Sequence, residues 1–109
     1  MKTIRVKGTG SALPKKIVQN EDLTEFVETS DEWIRERTGI GQRHISTGET
    51  VASLASEAAR EALRMAGKEP EEVELILLAT CSPESLLPCS ACQVQAQIGA
   101  VNALAFDLN

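Results

Sequence analysis

An α/β fold with parallel strand connections is predicted by three features of this 109-residue chain. Val73 to Ala79 (VELILLA) is a near-continuous apolar run, the pattern of a strand covered on both faces in a parallel sheet. Ala103 to Leu108 repeats that character at the end of the chain. Helical patterns stand before and between them, so the order is strand, helices, strand, helix, strand, which calls for βαβ crossovers.

Each element has its own signal. Thr3 to Gly10 (TIRVKGTG) alternates apolar and polar residues and is expected to be the first strand, with Gly8 and Gly10 allowing a close backbone approach. Leu13-Pro14 marks a loop. Asn20 is expected to cap a short helix through Val27, with Glu21 and Asp22 in the first turn where the helix dipole favours them. Thr29-Ser30-Asp31-Glu32 matches a capping box with Thr29 at the cap, opening a helix that carries Trp33, Ile34 and Arg37 and stops at Thr38-Gly39. Gly41 to Ser46 reads as a short extended piece. Thr50 to Ala66 is the clearest helix, with apolar residues at spacings of three and four and Gly67 as its stop. Pro70 suits a brief helical step, and Pro88 to Ile98 is a further helix stopped by Gly99.

Composition excludes several classes. Hydrophobic residues at 42% and charged residues at 25% are near globular averages, so disorder is not expected beyond loop tips. The net charge of −5 argues against nucleic-acid binding, which needs a basic footprint. No stretch of about eighteen apolar residues is present, so no membrane span is expected. The amino terminus lacks the apolar core of a signal peptide, and a cytoplasmic location is the expectation.

The chemistry-bearing residues leave alternatives open. Gly8-Thr9-Gly10-Ser11 lacks the last glycine of a dinucleotide fingerprint, because position 13 is leucine. Cys81, Cys89 and Cys92 fall within twelve residues, and the last two form a CxxC. A redox pair or part of a metal site is set against reduced, partly buried thiols, and the latter is favoured because a fourth ligand is missing and the one histidine, His44, is remote. His44 is expected to make a structural hydrogen bond. Trp33, the single tryptophan, is expected to anchor the core. The alternative is a nucleotide site in which its ring and the Arg37 guanidinium, four residues on, share a helix face. Asp107 lies inside a buried strand and must be bonded or paired there, most simply to orient a neighbouring turn. The run Glu69, Glu71, Glu72 and Glu74 lacks the ligand ladder of a calcium loop.

Three stretches resemble the β-ketoacyl-acyl-carrier-protein synthase III family. They are GTGSALP at Gly8 to Pro14, TSDEWIRERTGI at Thr29 to Ile40 followed by RHI at Arg43 to Ile45, and LLATCSPESLLPCSACQVQAQIGA through AFDLN at Leu77 to Asn109. The resemblance covers essentially the whole chain. It implies a thiolase-like fold, a five-layered α-β-α-β-α arrangement in the complete protein, with residues 1–109 as most of the first βα half and the carboxy-terminal half absent. It implies a homodimer with no permanently bound cofactor. An acyl-CoA, usually acetyl-CoA, would acylate a cysteine and then condense with malonyl-acyl-carrier protein. The family's catalytic cysteine, histidine and asparagine match no residue of this chain, so this stretch alone is expected to be inactive.

By the same resemblance, Trp33 stacks on the CoA adenine, Arg37 meets the CoA phosphates, and Thr29 lines that site. Cys81 lies beside the acyl pocket, and Leu87 reaches across the dimer to close the partner's pocket, where leucine in place of phenylalanine leaves room for chains longer than acetyl. Asp107 and Asn109 shape the floor beneath the catalytic turn. The rivals are a non-catalytic CoA- or acyl-carrier-binding module and a related condensing enzyme of secondary metabolism. The chain is expected to be the first part of a larger protein and not to fold alone, because its buried strands want cover on both faces.

Overall fold

The computed structural model describes residues 2–109 and resolves them into two units, Leu13–Gly48 and residues 2–12 with 49–109.

In the unit Leu13–Gly48, strand β1 (Lys16–Gln19) pairs antiparallel with β2 (Gln42–Ile45), in a register running from Lys16 opposite Ile45 to Gln19 opposite Gln42. The parallel topology expected throughout is therefore corrected here. KIVQ is too short to show a period, and the sequence reading missed it. Helix α1 (Asn20–Leu23) is a single turn, and its entry is fixed by the Gln19 N–H donating to Asp22 Oδ2 at 2.7 Å. Asn20 is thus the first residue of the helix rather than its cap, and the helix ends before Val27. The Asn20 side chain cannot cap because it is fully buried and bonded elsewhere. Helix α2 (Asp31–Thr38) is capped one residue later than expected: Ser30 Oγ, not Thr29, accepts the Trp33 N–H at 3.1 Å. That register puts Asp31 and Glu32 in the first turn and Arg35 and Arg37 in the last, complementing the helix dipole at both ends. Gly39 closes α2 with φ of 72°, a left-handed cap that glycine adopts at little cost.

In the other unit, Thr3 to Gly10 forms no strand, correcting the first element of the sequence reading. Its backbone lies against helix α3 (Val51–Ala66), so close that a Cβ on Gly8 would collide with the Ala62 carbonyl and one on Gly10 with that of Ala58. The nearby N–H groups serve α3 side chains: Ser11 N donates to Glu61 Oε2 at 2.9 Å, and Thr9 N to Met65 Sδ at 3.4 Å. Helix α3 opens on a reciprocal cap, Thr50 Oγ1 accepting from Ser53 N and Ser53 Oγ from Thr50 N. A short helical step at Pro70–Glu72 leads to β3 (Leu75–Ala79). Helix α4 (Ser90–Ile98) and β4 (Leu104–Leu108) follow, and β3 and β4 pair in parallel from Leu75 opposite Leu104 to Ala79 opposite Leu108. This is the expected βαβ crossover. Helix α4 begins at Ser90 rather than Pro88, because Asp107 of β4 takes the Ser90 and Ala91 N–H groups and sets the start of the helix.

The core of this unit gathers Ala52, Leu78, Ala91, Val94, Ile98, Ala100 and Ala103, with Leu63, Val73 and Ile76 packed on it. The strands have the apolar character that calls for cover on both faces, and, as expected from the few helices, the described residues cover one. Leu75, Leu77, Leu104, Phe106 and Leu108 share the other face and are 48–73% exposed. Among the described residues, no helix is long and apolar enough to cross a membrane.

Candidate functional site

Helix α2 projects Trp33 and Arg37 from one face, and the guanidinium carbon of Arg37 lies 4.8 Å from the centre of the Trp33 ring. That is within range of a cation–π contact. Trp33 is 52% exposed, so the expectation of a core anchor is corrected. The helix buries Ile34 instead, and the rotation of about 100° between adjacent helical residues puts the tryptophan in solvent.

The other arginines of this unit are engaged in scaffolding. Arg35 Nε donates to both oxygens of Asp31, at 2.8 and 2.9 Å. Asn20 Nδ2 donates to Asp31 Oδ1 at 2.8 Å and to the Ile40 carbonyl at 2.7 Å, while Asn20 Oδ1 accepts from Arg43 Nη2 at 2.7 Å. Asn20 therefore ties both ends of α2 to β2. The Asn20 hydrogen bond, then Arg35, holds the Asp31 carboxyl below its ordinary value despite some burial. Arg37 has no carboxylate partner among the described residues. Sequence reading missed Asn20 and Arg43 as parts of this frame. An asparagine ahead of Glu-Asp carries the signal of a cap, and nothing in its neighbours announces a contact 23 residues away.

Thr29 stands just ahead of α2. Its Oγ1 is shielded from solvent and makes no hydrogen bond, unusual for a buried hydroxyl. His44 Nδ1 lies 2.6 Å from the Pro14 carbonyl, so that nitrogen carries the hydrogen and donates it. The structural role expected for His44 is the one found.

Cys81 and Leu87 belong to the other unit, in the loop between β3 and α4. Cys81 is an exposed free thiol, and Leu87 is 88% exposed. Ser85 Oγ donates to the Pro88 carbonyl at 3.0 Å, and Gln93 Nε2 bonds both Ser85 Oγ and that carbonyl at 3.2 Å, anchoring the loop to α4. Asp107 is half-buried and accepts from Ser90 N at 2.9 Å and Ala91 N at 2.6 Å. Burial pushes its carboxyl up, but the Ala91 and Ser90 N–H groups, with the Cys89 and Ser90 side chains, bring it below the ordinary value. Asp107 thus caps α4, a role more specific than the turn support read from sequence. The structure brings Trp33 and Arg37 to one helix face with Thr29 just ahead of that helix, and Cys81 and Leu87 to one loop.

Together these features define a piece of a thiolase-like condensing-enzyme fold, and the comparisons with known proteins agree. A crystal structure of 3-oxoacyl-[acyl-carrier-protein] synthase III from Aquifex aeolicus VF5 superposes with a TM-score of 0.92 at 50% identity, covering 95% of this chain and 34% of that one. The priming β-ketosynthase of the R1128 polyketide pathway also gives 0.92, at 35% identity, over 95% of this chain and 31% of its own. The β-ketoacyl-[acyl-carrier-protein] synthase III of Clostridium perfringens (strain ATCC 13124) is 51% identical over all 109 residues, which span 34% of its length. No family model matches. Over its whole length the chain is about 50% identical to β-ketoacyl-[acyl-carrier-protein] synthase III proteins, and it spans about a third of the length of the curated relatives it matches.

Proposed function

We propose that this chain is the coenzyme-gripping part of a condensing enzyme of bacterial type II fatty-acid synthesis. The complete enzyme joins an acyl-CoA, acetyl-CoA above all, to malonyl-acyl-carrier protein. It releases carbon dioxide and free CoA and leaves a 3-oxoacyl-acyl-carrier protein. The observation that carries this reading is the Trp33–Arg37 stack, half exposed on a helix whose other arginine, Arg35, is already paired with Asp31. A flat ring backed by a guanidinium suits a purine, and an unpaired arginine beside it suits phosphate oxygens. The unbonded Thr29 hydroxyl supplies a further polar contact at the same helix start.

Cys81 and Leu87 serve the acyl pocket of a cytoplasmic homodimer that holds no resident cofactor and takes its CoA thioester as substrate. The nucleophilic cysteine and its histidine and asparagine partners lie outside these residues, so the 109-residue stretch alone turns over no substrate. The test is steady-state kinetics of the complete enzyme. Trp33→Ala raises KM for acyl-CoA about 5–150-fold, the equivalent of losing one base stack, with kcat for the condensation little changed. An unchanged KM would remove the coenzyme site from this helix. Leu87→Phe narrows the accepted acyl chains toward acetyl; a wild-type enzyme already restricted to acetyl-CoA contradicts that reading of Leu87.

A second reading, a priming enzyme of polyketide synthesis, has the equal TM-score of the R1128 enzyme in its favour. The higher identity to the fatty-acid enzymes, 50–51% against 35%, favours the first.

A further inference from the structure

The CxxC of α4 is not used by the coenzyme site. Cys89 occupies the cap position of α4 and Cys92 lies three residues on, in the first turn. Their sulfurs stand 3.2 Å apart, and both thiols are free and half-buried. Cys92 Sγ also lies 3.8 Å from the Ala105 carbonyl of β4, which fixes that side chain beneath the helix start. A disulfide requires the sulfurs to close to about 2.05 Å, a movement of side-chain torsions rather than of backbone. Metal chelation is less suited, since among the described residues no group of three or more metal-ligating side chains includes this pair.

We propose that Cys89 and Cys92 form a reversible dithiol–disulfide pair that exchanges with low-molecular-weight disulfides and, when closed, staples the loop carrying Leu87 to the first turn of α4. The exchange runs in two displacements. Cys89, next to the exposed loop, loses its proton, and its sulfur attacks one sulfur of the small disulfide, releasing one small thiolate. The Cys92 sulfur, deprotonated in turn, attacks Cys89 and displaces the second. The two cysteines are oxidised to one disulfide, the small disulfide is reduced to two thiols, and those thiols carry away the two protons. The contact with Cys89, then burial, then nearby negative charge hold the Cys92 thiol above its ordinary value. A dithiol whose thiolate is disfavoured gives a disulfide that resists reduction, the opposite of strongly oxidising pairs.

The test exposes the complete protein to glutathione disulfide, quenches in acid, unfolds and alkylates it, and maps the peptides. The expected result is the loss of two hydrogen masses from the Cys89–Cys92 peptide, complete loss of alkylation at both, and recovery with dithiothreitol. Exposed Cys81 carries only a mixed glutathione disulfide and serves as internal reference. Cys89→Ser, which keeps a good helix cap, abolishes the bridge. Free thiols at Cys89 and Cys92 after oxidation, glutathione persisting on either, or a bridge from either to Cys81 would each overturn the proposal.

Discussion

The unit Leu13–Gly48 and the βαβ unit are held by different forces. In the first, a buried asparagine and two arginines tie α2 to β2, and one apolar side chain, Ile34, is buried on that helix. In the second, seven buried apolar side chains from α3, β3, α4 and the turn after α4 make the core, and side-chain hydrogen bonds tie down the two ends of α4. Directional polar bonds fix where a side chain points, whereas apolar burial fixes that two surfaces meet. The half-exposed Trp33–Arg37 pair stands on the frame that fixes direction. The sheet, with its second face still apolar and exposed, is built to be covered.

That contrast can be broken from either side. Leu78→Ala removes a buried side chain from the βαβ core and costs about 2–5 kcal/mol of global stability in a denaturant melt of the complete protein. A cost under about 1 kcal/mol would mean this core is not the main support of its unit. Asn20→Ala strands the Arg43, Asp31 and Ile40 groups it now satisfies and costs about 3 kcal/mol. Its sharper signature is local: amide exchange speeds up in α2 and β2 and stays unchanged in α4. Uniform acceleration across both units would deny the division drawn here.

A smaller effect follows from Asp107. Its carboxyl is depressed in the folded state, so its contribution is fully present above the ordinary carboxylate value of about 3.9 and is lost as pH falls through the folded value. Asp107→Asn therefore lowers the melting temperature at neutral pH, and the gap to wild type closes on acidification below about pH 4. A gap that widens in acid would contradict the cap.

These two kinds of support also explain what the sequence shows openly. The βαβ unit was legible because its signals are runs and periods: VELILLA, the three-and-four spacing of α3, and the glycine after each helix. The Trp33–Arg37 face was legible from spacing on a helix, and its reading as a coenzyme site came from the resemblance of TSDEWIRERTGI. The failures lie where long-range contacts decide. Thr3 to Gly10 has the alternation of a strand, but Gly8 and Gly10 seat it against α3 and leave it unpaired. Thr29 and Ser30 are equally good caps locally, and the choice falls on Ser30 one position along. Asn20 looks like a cap until Arg43 and Ile40 arrive from 20 and more residues away.

The central claim is that Trp33 and Arg37 act as one surface for coenzyme A. Calorimetric titration of the complete enzyme with CoA tests it most directly, using Trp33→Ala, Arg37→Gln and the double variant. Each single change is expected to weaken binding about 5–150-fold, and the double to fall short of their product because the two side chains touch. Wild-type affinity in both single variants would contradict the account.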